Sequence, residues 1–313
     1  MTEKVILERV LSRRGLVARR AQLALVTEGH RMNLGAWQLD TVSGGTFQLD
    51  GGTMFGVVPK PLWEKLHAPD ERNRIPSGTN CVLARNGTHT VLVDTGYGGK
   101  LSDRERKIYD IQPGEPLLDN LASLGVAPEE VDTVVLSHLH FDHAGGATRY
   151  DEHGELTPTF PKARYVVQQR EWEDAMSCAS ELRGAYPMDN LAPLEEADQL
   201  DLIDGDTEIL PGLRSRVTGG HTAGHQAFFF LSQKQVAIYL GDLCPMASHT
   251  PALWCMAYDT FPLTTRRQKP IVLGEAADQG WLVLWDHDPD MVACRLERDE
   301  KREFRVVEPL PTL

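Results

Sequence analysis

Short apolar runs rich in β-branched residues recur along the chain, each closed by Gly, Asp or Asn. They predict buried strands at residues 37–42, 81–84, 90–93, 133–136, 165–167, 227–231, 236–240 and 281–285. Two helical patterns lie among them. Residues 115–124 put Leu117, Leu118, Leu121 and Leu124 on one face, and residues 170–182 show a similar period. The alternation is that of an α/β protein. No repeat period and no Pro/Gly/Ser linker divides the middle of the chain, so it reads as one large domain with two similar halves. Residues 51–78, with Pro59, Pro61, Pro69 and Pro76, read as a long loop of the kind that carries function.

With 41% hydrophobic and 25% charged residues among 313, the chain can bury a sizeable core. Its formal net charge of −13 is the wrong sign for tracking a phosphate backbone, which sets nucleic acid aside as a partner. No apolar run approaches the ~20 residues of a spanning helix, so no membrane partner is expected. The five cysteines are widely spaced and include no C-x-x-C pair. They suggest neither a disulfide framework nor a thiolate zinc site, and fit a reducing, cytoplasmic location. Residues 1–31 differ from the rest: their Lys and Arg outnumber Glu and interrupt every apolar run, leaving no secretory h-region. They read as a basic, peripheral extension ahead of a single domain at 32–313.

The informative polar residues sit just after strands. Behind the strand predicted at 133–136 comes Ser137-His138-Leu139-His140-Phe141-Asp142-His143-Ala144-Gly145-Gly146, an H-x-H-x-D-H run. With 11 histidines in the chain, the number of such matches expected by chance is on the order of 10⁻³. In an extended segment positions i, i+2 and i+4 face one side, so His138, His140 and Asp142 can converge while His143 reaches round the turn. That geometry suits a metal ion, imidazole being the commonest metal ligand. Gly145 and Gly146 allow close backbone approach as the chain enters a helix.

Three more candidates follow other apolar runs. They are His221 in Thr218-Gly219-Gly220-His221, Asp242 in Gly241-Asp242, and His287 in Asp286-His287-Asp288, where Asp286 or Asp288 could serve in its place. Strand ends are where α/β folds hold functional groups rigidly. Four ligands satisfy one ion, and the larger number suggests two. The Gly96-Tyr97-Gly98-Gly99-Lys100 segment lacks the spacing of a phosphate loop and reads as a turn.

In this order and spacing, with Val93-Asp94-Thr95-Gly96 at a strand end ahead of them, these residues resemble the metallo-β-lactamase superfamily from about residue 37 to 309. Gly44-Gly45-Thr46-Phe47, Met54-Phe55-Gly56-Val57-Val58-Pro59-Lys60, Gly241-Asp242-Leu243-Cys244-Pro245 and the stretch from Leu253-Trp254 to Thr260-Phe261-Pro262 resemble a narrower branch, the YtnP-like quorum-quenching N-acyl homoserine lactonases. Methyl parathion hydrolase-type phosphotriesterases share the broad branch. The resemblance implies an αββα sandwich, two mixed sheets packed face to face with helices outside. It puts His138, His140 and His221 on a first metal, Asp142, His143 and His287 on a second, and Asp242 between them. Asp94 is then expected to orient a ligand histidine, and His225 to support the site from nearby. Two divalent ions are the implied cofactor. Nitrogen and oxygen ligands without thiolate favour Zn²⁺, while Mn²⁺, Co²⁺ and Fe²⁺ fit the same donors.

The implied activity is hydrolysis of a lactone, an N-acyl homoserine lactone above all, by attack of a hydroxide bridging the two ions. Asp142 and Asp242 would be the catalytic carboxylates, with Asp142 shuttling a proton to the leaving oxygen. No G-x-S-x-G or S-x-x-K motif offers a serine nucleophile instead. Some lactonases of this kind hold the lactone carbonyl with a tyrosine three residues after the bridging aspartate. Here that position is Pro245, and Tyr258 or His249 on the following loop are the candidates to replace it. Met54, Phe55, Trp254 and Phe261 are candidates to line an apolar acyl pocket. A phosphotriesterase or other ester hydrolase on the same metals is the alternative, and a metal-binding fold without hydrolytic turnover a third. The expected partner is a small-molecule lactone or ester; a homodimer is implied by the resemblance alone.

Overall fold

The computed structural model describes residues 31–177, 179–182 and 184–312. The basic extension expected at 1–31 therefore lies outside the described residues, except that Arg31 already belongs to the first strand and pairs with Asp40. In chain order the strands are β1 (Arg31–Leu34), β2 (Trp37–Asp50), β3 (Arg74–Arg85), β4 (Thr90–Val93), β5 (Thr133–Val135), β6 (Thr148–Tyr150), β7 (Leu156–Pro158), β8 (Arg164–Gln168), β9 (Leu200–Ile203), β10 (Thr207–Leu210), β11 (Leu213–Val217), β12 (Gln226–Ser232), β13 (Gln235–Tyr239), β14 (Leu282–Leu284), β15 (Met291–Asp299) and β16 (Glu303–Pro311). One seven-stranded sheet has the order β1-β2-β3-β4-β5-β8-β9; a second runs β10 to β16 in sequence; β6 and β7 form a separate ribbon. Both large sheets are mixed. β4, β5, β8 and β9 pair parallel, as do β13 and β14, and the remaining neighbours are antiparallel.

The apolar runs become strands because both of their faces are buried, the condition under which a strand reads as continuous hydrophobicity. In β4, Val91 and Val93 enter the core between the sheets with Phe228 and Phe230 of β12 and Tyr239 of β13. Leu92 points the other way, into a core with Leu117 and Leu121 of the helix Pro116–Ser123. On the far sheet Phe229 and Ile238 face outward against Val272, Leu273 and Ala276 of the helix Pro262–Gln279. The layers are therefore helix, sheet, sheet, helix, the sandwich that the resemblance implied.

Three segments differ from the sequence expectation. Residues 51–78 are not a long loop: they hold the short helices Gly51–Phe55 and Lys60–Trp63 and the start of β3. Pro59 and Pro61 begin a helix rather than break one. Pro61 occupies the first turn of its helix, where no donor is missed, and Pro76 sits in β3 opposite Gln48. The helical period at 170–182 ends early, at Met176. Conversely the 18-residue helix Pro262–Gln279 left no amphipathic stripe to find, since it buries Lys269 and carries Pro270 in its interior.

Close backbone packing positions the H-x-H-x-D-H segment. A Cβ on Gly146 would fall 2.2 Å from the Thr95 carbonyl oxygen, and one on Gly145 would fall 2.3 Å from that of Tyr97. Lys100, the last residue of the glycine-rich turn, donates its Nζ to the carbonyls of Gly145 and Thr148 and staples the segment from the other side. We expect Gly146→Ala to lower stability by about 1–3 kcal/mol, the usual range for overpacking a tight contact. Urea unfolding of the metal-free protein reads this directly, and an unchanged midpoint would show that the Thr95 strand end gives way freely.

Candidate metal centre

Five strand ends meet at one place. Asp94 follows β4, His138 to His143 follow β5, His221 follows β11, Asp242 follows β13, and Asp286-His287 follow β14. After β5 the chain stays extended through His140 and then turns into the short helix Phe141–Ala144, which brings His143 back beside His138, with ring centroids 4.1 Å apart. Contacts between the two sheets hold these segments: Gln226 at the start of β12 donates its backbone N–H to the Ser137 carbonyl and its side-chain amide to that of Leu136. Asn80 of β3 donates to the carbonyls of Asp286, Trp285 and Asp288.

Two groups of ligand atoms result, each with members within 4.8 Å of one another: His138, His140, His221 and Asp242, and His143, Asp242, Asp286 and His287. In the first, His140 Nδ1 lies 3.0 Å from both His138 Nε2 and His221 Nε2, and Asp242 Oδ2 lies 2.9 Å from His221 Nε2 and 3.7 Å from His138 Nε2. In the second, His143 Nε2 is 3.2 Å from His287 Nε2, and Asp242 Oδ1 is 3.2 Å from His287 Nε2 and 3.7 Å from His143 Nε2. Tetrahedral zinc with bonds of about 2.0–2.1 Å would set its ligand atoms roughly 3.3 Å apart. The observed separations bracket that spacing. Asp242 thus turns one carboxylate oxygen to each group.

The outer nitrogens of the imidazoles decide which way their lone pairs face. His287 Nδ1 sits 2.7 Å from the Gly78 carbonyl, which can only accept, so Nδ1 carries the proton and Nε2 presents a lone pair inward. His143 Nδ1 donates to Asp94 Oδ2 at 2.8 Å, and His221 Nδ1 donates to Asp259 Oδ1 at 3.0 Å. Asp94, held in the left-handed backbone region at φ 54°, also accepts from Ser137 N, Ser137 Oγ and Tyr239 OH. Such partners orient metal-binding imidazoles and raise their basicity. His225 is different: its Nδ1 bonds Thr218 Oγ1 at 2.6 Å and its ring packs 5.3 Å from that of His138, without a hydrogen bond to the ligand set.

The electrostatics are those of a cation cradle. Burial pushes His138 well below its ordinary pKa, and the neighbouring imidazoles push it further the same way. Burial also works against His221, but Asp242 and Asp259 carry it up to about 10; His143 likewise rises to about 9 through Asp242, Asp142 and Asp94. Burial alone would raise Asp242, yet His221, His287 and His143 hold it well below the carboxylate range. Asp242 Oδ1 and both oxygens of Asp286 are buried with no hydrogen-bond partner. The buried carboxylates thus draw protons onto His143 and His221 where no other positive charge answers them, while His138 and His140 are kept neutral. Divalent cations fit such a donor set of nitrogen and oxygen.

Six of the seven positions expected on metals, His138, His140, His143, His221, Asp242 and His287, fall in the two groups. Asp142 stands beside the second, its Oδ2 3.6 Å from His287 Nε2, with its side chain more exposed than its neighbours. Asp286 joins the second group in addition to His287, and Asp288 instead caps the following turn through Ala247 N, Asp290 N and Met291 N. The expected substrate residues divide. Met54, Phe55 and His249 are each 0% exposed: Phe55 stacks on Trp63 and His249, and His249 Nε2 lies 2.8 Å from the Met54 carbonyl. They form the core beneath the site and leave no surface for an acyl chain or a carbonyl: the helix Gly51–Phe55 turns Met54 and Phe55 inward, and His249 packs against them from the turn Ala247–His249. Tyr258 and Phe261 are exposed and Trp254 is half-buried on the loop that also supplies Asp259. Tyr109 and Phe141 stack nearby at 5.0 Å, and Tyr186 lies over His140 at 5.5 Å. Asp259, Tyr109 and Tyr186 gave no signal in local spacing. Asp259 lies 38 residues from the histidine it orients, and only the fold pairs them.

A family model of the metallo-beta-lactamase superfamily matches residues 74–290. The N-acyl homoserine lactonase AiiA of Bacillus thuringiensis subsp. kurstaki is 25% identical over 213 residues, 61% of this chain and 78% of that protein. Among solved structures, a probable metal-dependent hydrolase from Staphylococcus aureus is 31% identical and superposes with a TM-score of 0.83 over 90% of this chain and 99% of that one. AidC, a dizinc quorum-quenching lactonase, shares the fold at a TM-score of 0.74 and 18% identity, over 91% of this chain and 98% of that one.

Asp259→Asn should weaken cation binding about 10–100-fold, the usual cost of losing a partner that orients a ligand imidazole. Competition with a chromophoric chelator measures it. Undiminished affinity in a folded variant would show that His221 needs no such partner.

Proposed function

The chain belongs to the metallo-β-lactamase superfamily and is a hydrolase of that fold, and from this premise we propose that it opens the ring of a lactone, an N-acyl homoserine lactone in the first instance. We take residues 32–313 as one catalytic unit. No helix among the described residues is long and apolar enough to cross a membrane; a cytoplasmic enzyme acting on a small molecule is part of the proposal. The observation that carries it is the buried Asp242 carboxylate facing two ligand groups at once, in a superfamily member whose curated relatives include N-acyl homoserine lactonases.

His138, His140, His221 and Asp242 would hold one divalent ion, and His143, His287, Asp242 and Asp142 the second, with Zn²⁺ the favoured occupant. Two such ions supply Lewis acidity and a water acidified toward neutral pH, the chemistry that ester hydrolysis needs. The chain's own residues do the rest. Asp94, Asp259 and the Gly78 carbonyl hold the imidazoles in one tautomer. Asp142, more accessible than His143, His287 and Asp242, would carry a proton from the attacking water to the leaving oxygen as the ester C–O bond breaks. Tyr109, Phe141, Trp254, Tyr258 and Phe261 surround the approach with aromatic surface suited to an acyl chain. Tyr258, whose hydroxyl lies 2.7 Å from Thr53 Oγ1, is the candidate left to meet the lactone carbonyl.

The test is pH-stat hydrolysis on protein of assayed metal content, with short- and long-chain acyl homoserine lactones, an aromatic γ-lactone and methyl paraoxon. Strong turnover of the homoserine lactones, lost in His140→Ala, supports the reading. Turnover of the phosphotriester alone would replace it with an organophosphate hydrolase. Asp142→Asn is expected to lower kcat by about 10²–10⁴-fold with both metals retained; full activity in that variant would remove the proton-transfer role.

A further inference from the structure

The Asp286 carboxylate is 1% exposed, and neither of its oxygens has a hydrogen-bond partner. It points toward the second ligand group. Its Oδ2 lies 3.8 Å from His287 Nε2, and Asp242, with which it shares the second ligand group within 4.8 Å, is itself an acceptor. The Asp286 backbone is held by Asn80 N, which donates to its carbonyl at 2.7 Å. Asp94 satisfies its own buried oxygens with four donors, and Asp288 has three backbone donors. Among the described residues Asp286 has none, and no lysine or arginine there forms an ion pair with it.

A buried carboxyl left in that condition either keeps its proton or is met by a cation. We propose that Asp286 is a direct ligand of the second cation. This rests on the dinuclear reading above and adds to it. The first position then has three imidazoles and one carboxylate, whereas the second has two imidazoles, His143 and His287, and three carboxylates, Asp142, Asp242 and Asp286. Oxygen-rich, more negative donor sets suit harder cations, so the two positions differ in preference: the first takes Zn²⁺, and the second accepts Mn²⁺ or Fe²⁺ far more readily than the first does. The sequence places this carboxylate in Asp286-His287, next to a ligand that looks sufficient by itself.

The experiment loads metal-free protein with one equivalent of Zn²⁺, then titrates Mn²⁺ and follows free Mn²⁺ by electron paramagnetic resonance, for the wild type and Asp286→Asn. Asparagine keeps the shape and can donate to Asp242, so it mimics a neutral acid and removes only the anionic ligand. The expected result is Mn²⁺ binding weakened about tenfold or more in Asp286→Asn, with the first Zn²⁺ equivalent unaffected. Equal Mn²⁺ affinity in the two proteins overturns the assignment of Asp286 while leaving the dinuclear reading intact. Failure of the wild type to bind a second cation overturns both. Should the variant not fold, anomalous diffraction from the Mn²⁺-loaded wild type decides: an Asp286 oxygen at bonding distance supports the proposal, and one beyond about 3 Å from the ion overturns it.

Discussion

A carboxylate withdrawn from water and surrounded by imidazoles is the constraint around which this structure is arranged. Asp242 is 5% exposed and offers one oxygen to His138 and His221 and the other to His143 and His287. An anion in that position is tolerable only where positive charge answers it on both sides. Protons on the imidazoles supply some of that charge, but burial and mutual repulsion deny protons to His138 and His140. The donor set is therefore complementary to metal ions in charge as well as in spacing, and the rest of the chain can be understood as what holds it in that state.

The holding is divided between the two sheets. The first contributes the H-x-H-x-D-H segment after β5 and Asp94 after β4; the second contributes His221, Asp242 and His287 after β11, β13 and β14. Tyr239 of the second sheet donates to Asp94 of the first, and Asn80 of the first holds the backbone around His287 from the second. A shift of one sheet against the other would break both ligand groups together. The dry core between the sheets, with Val91, Val93 and Val135 against Phe228, Phe230 and Tyr239, resists such a shift because close-packed interiors do not deform gradually.

The central strands were legible from the chain because burial on both faces removes the need for any polar partner, so the apolar run is itself the signal. β4 falls at the very residues where its run occurs. The hairpin β15–β16 and the helix Pro262–Gln279 were not legible. The hairpin mixes exposed charges with buried residues, and the helix spreads its buried positions Thr265, Lys269, Val272, Leu273, Gly274 and Ala276 without a clean stripe. The prolines of 51–78 misled for a related reason: proline marks a helix start as readily as a loop, and Pro61 stands in the first turn of its helix.

By itself the sequence determined the class of the fold and the positions at which its metal-binding chemistry would be sought, because ligands of one segment are tied together by a fixed spacing and the others announce themselves at strand ends. Only the tertiary structure decided what those residues meet. It paired His221 with Asp259 and His287 with the Gly78 carbonyl, sealed Met54, Phe55 and His249 into the core, and left Asp286 without a donor. Each of these depends on groups distant in the chain, and long-range contacts leave no trace in local periodicity; they exist only once two sheets have closed on one another.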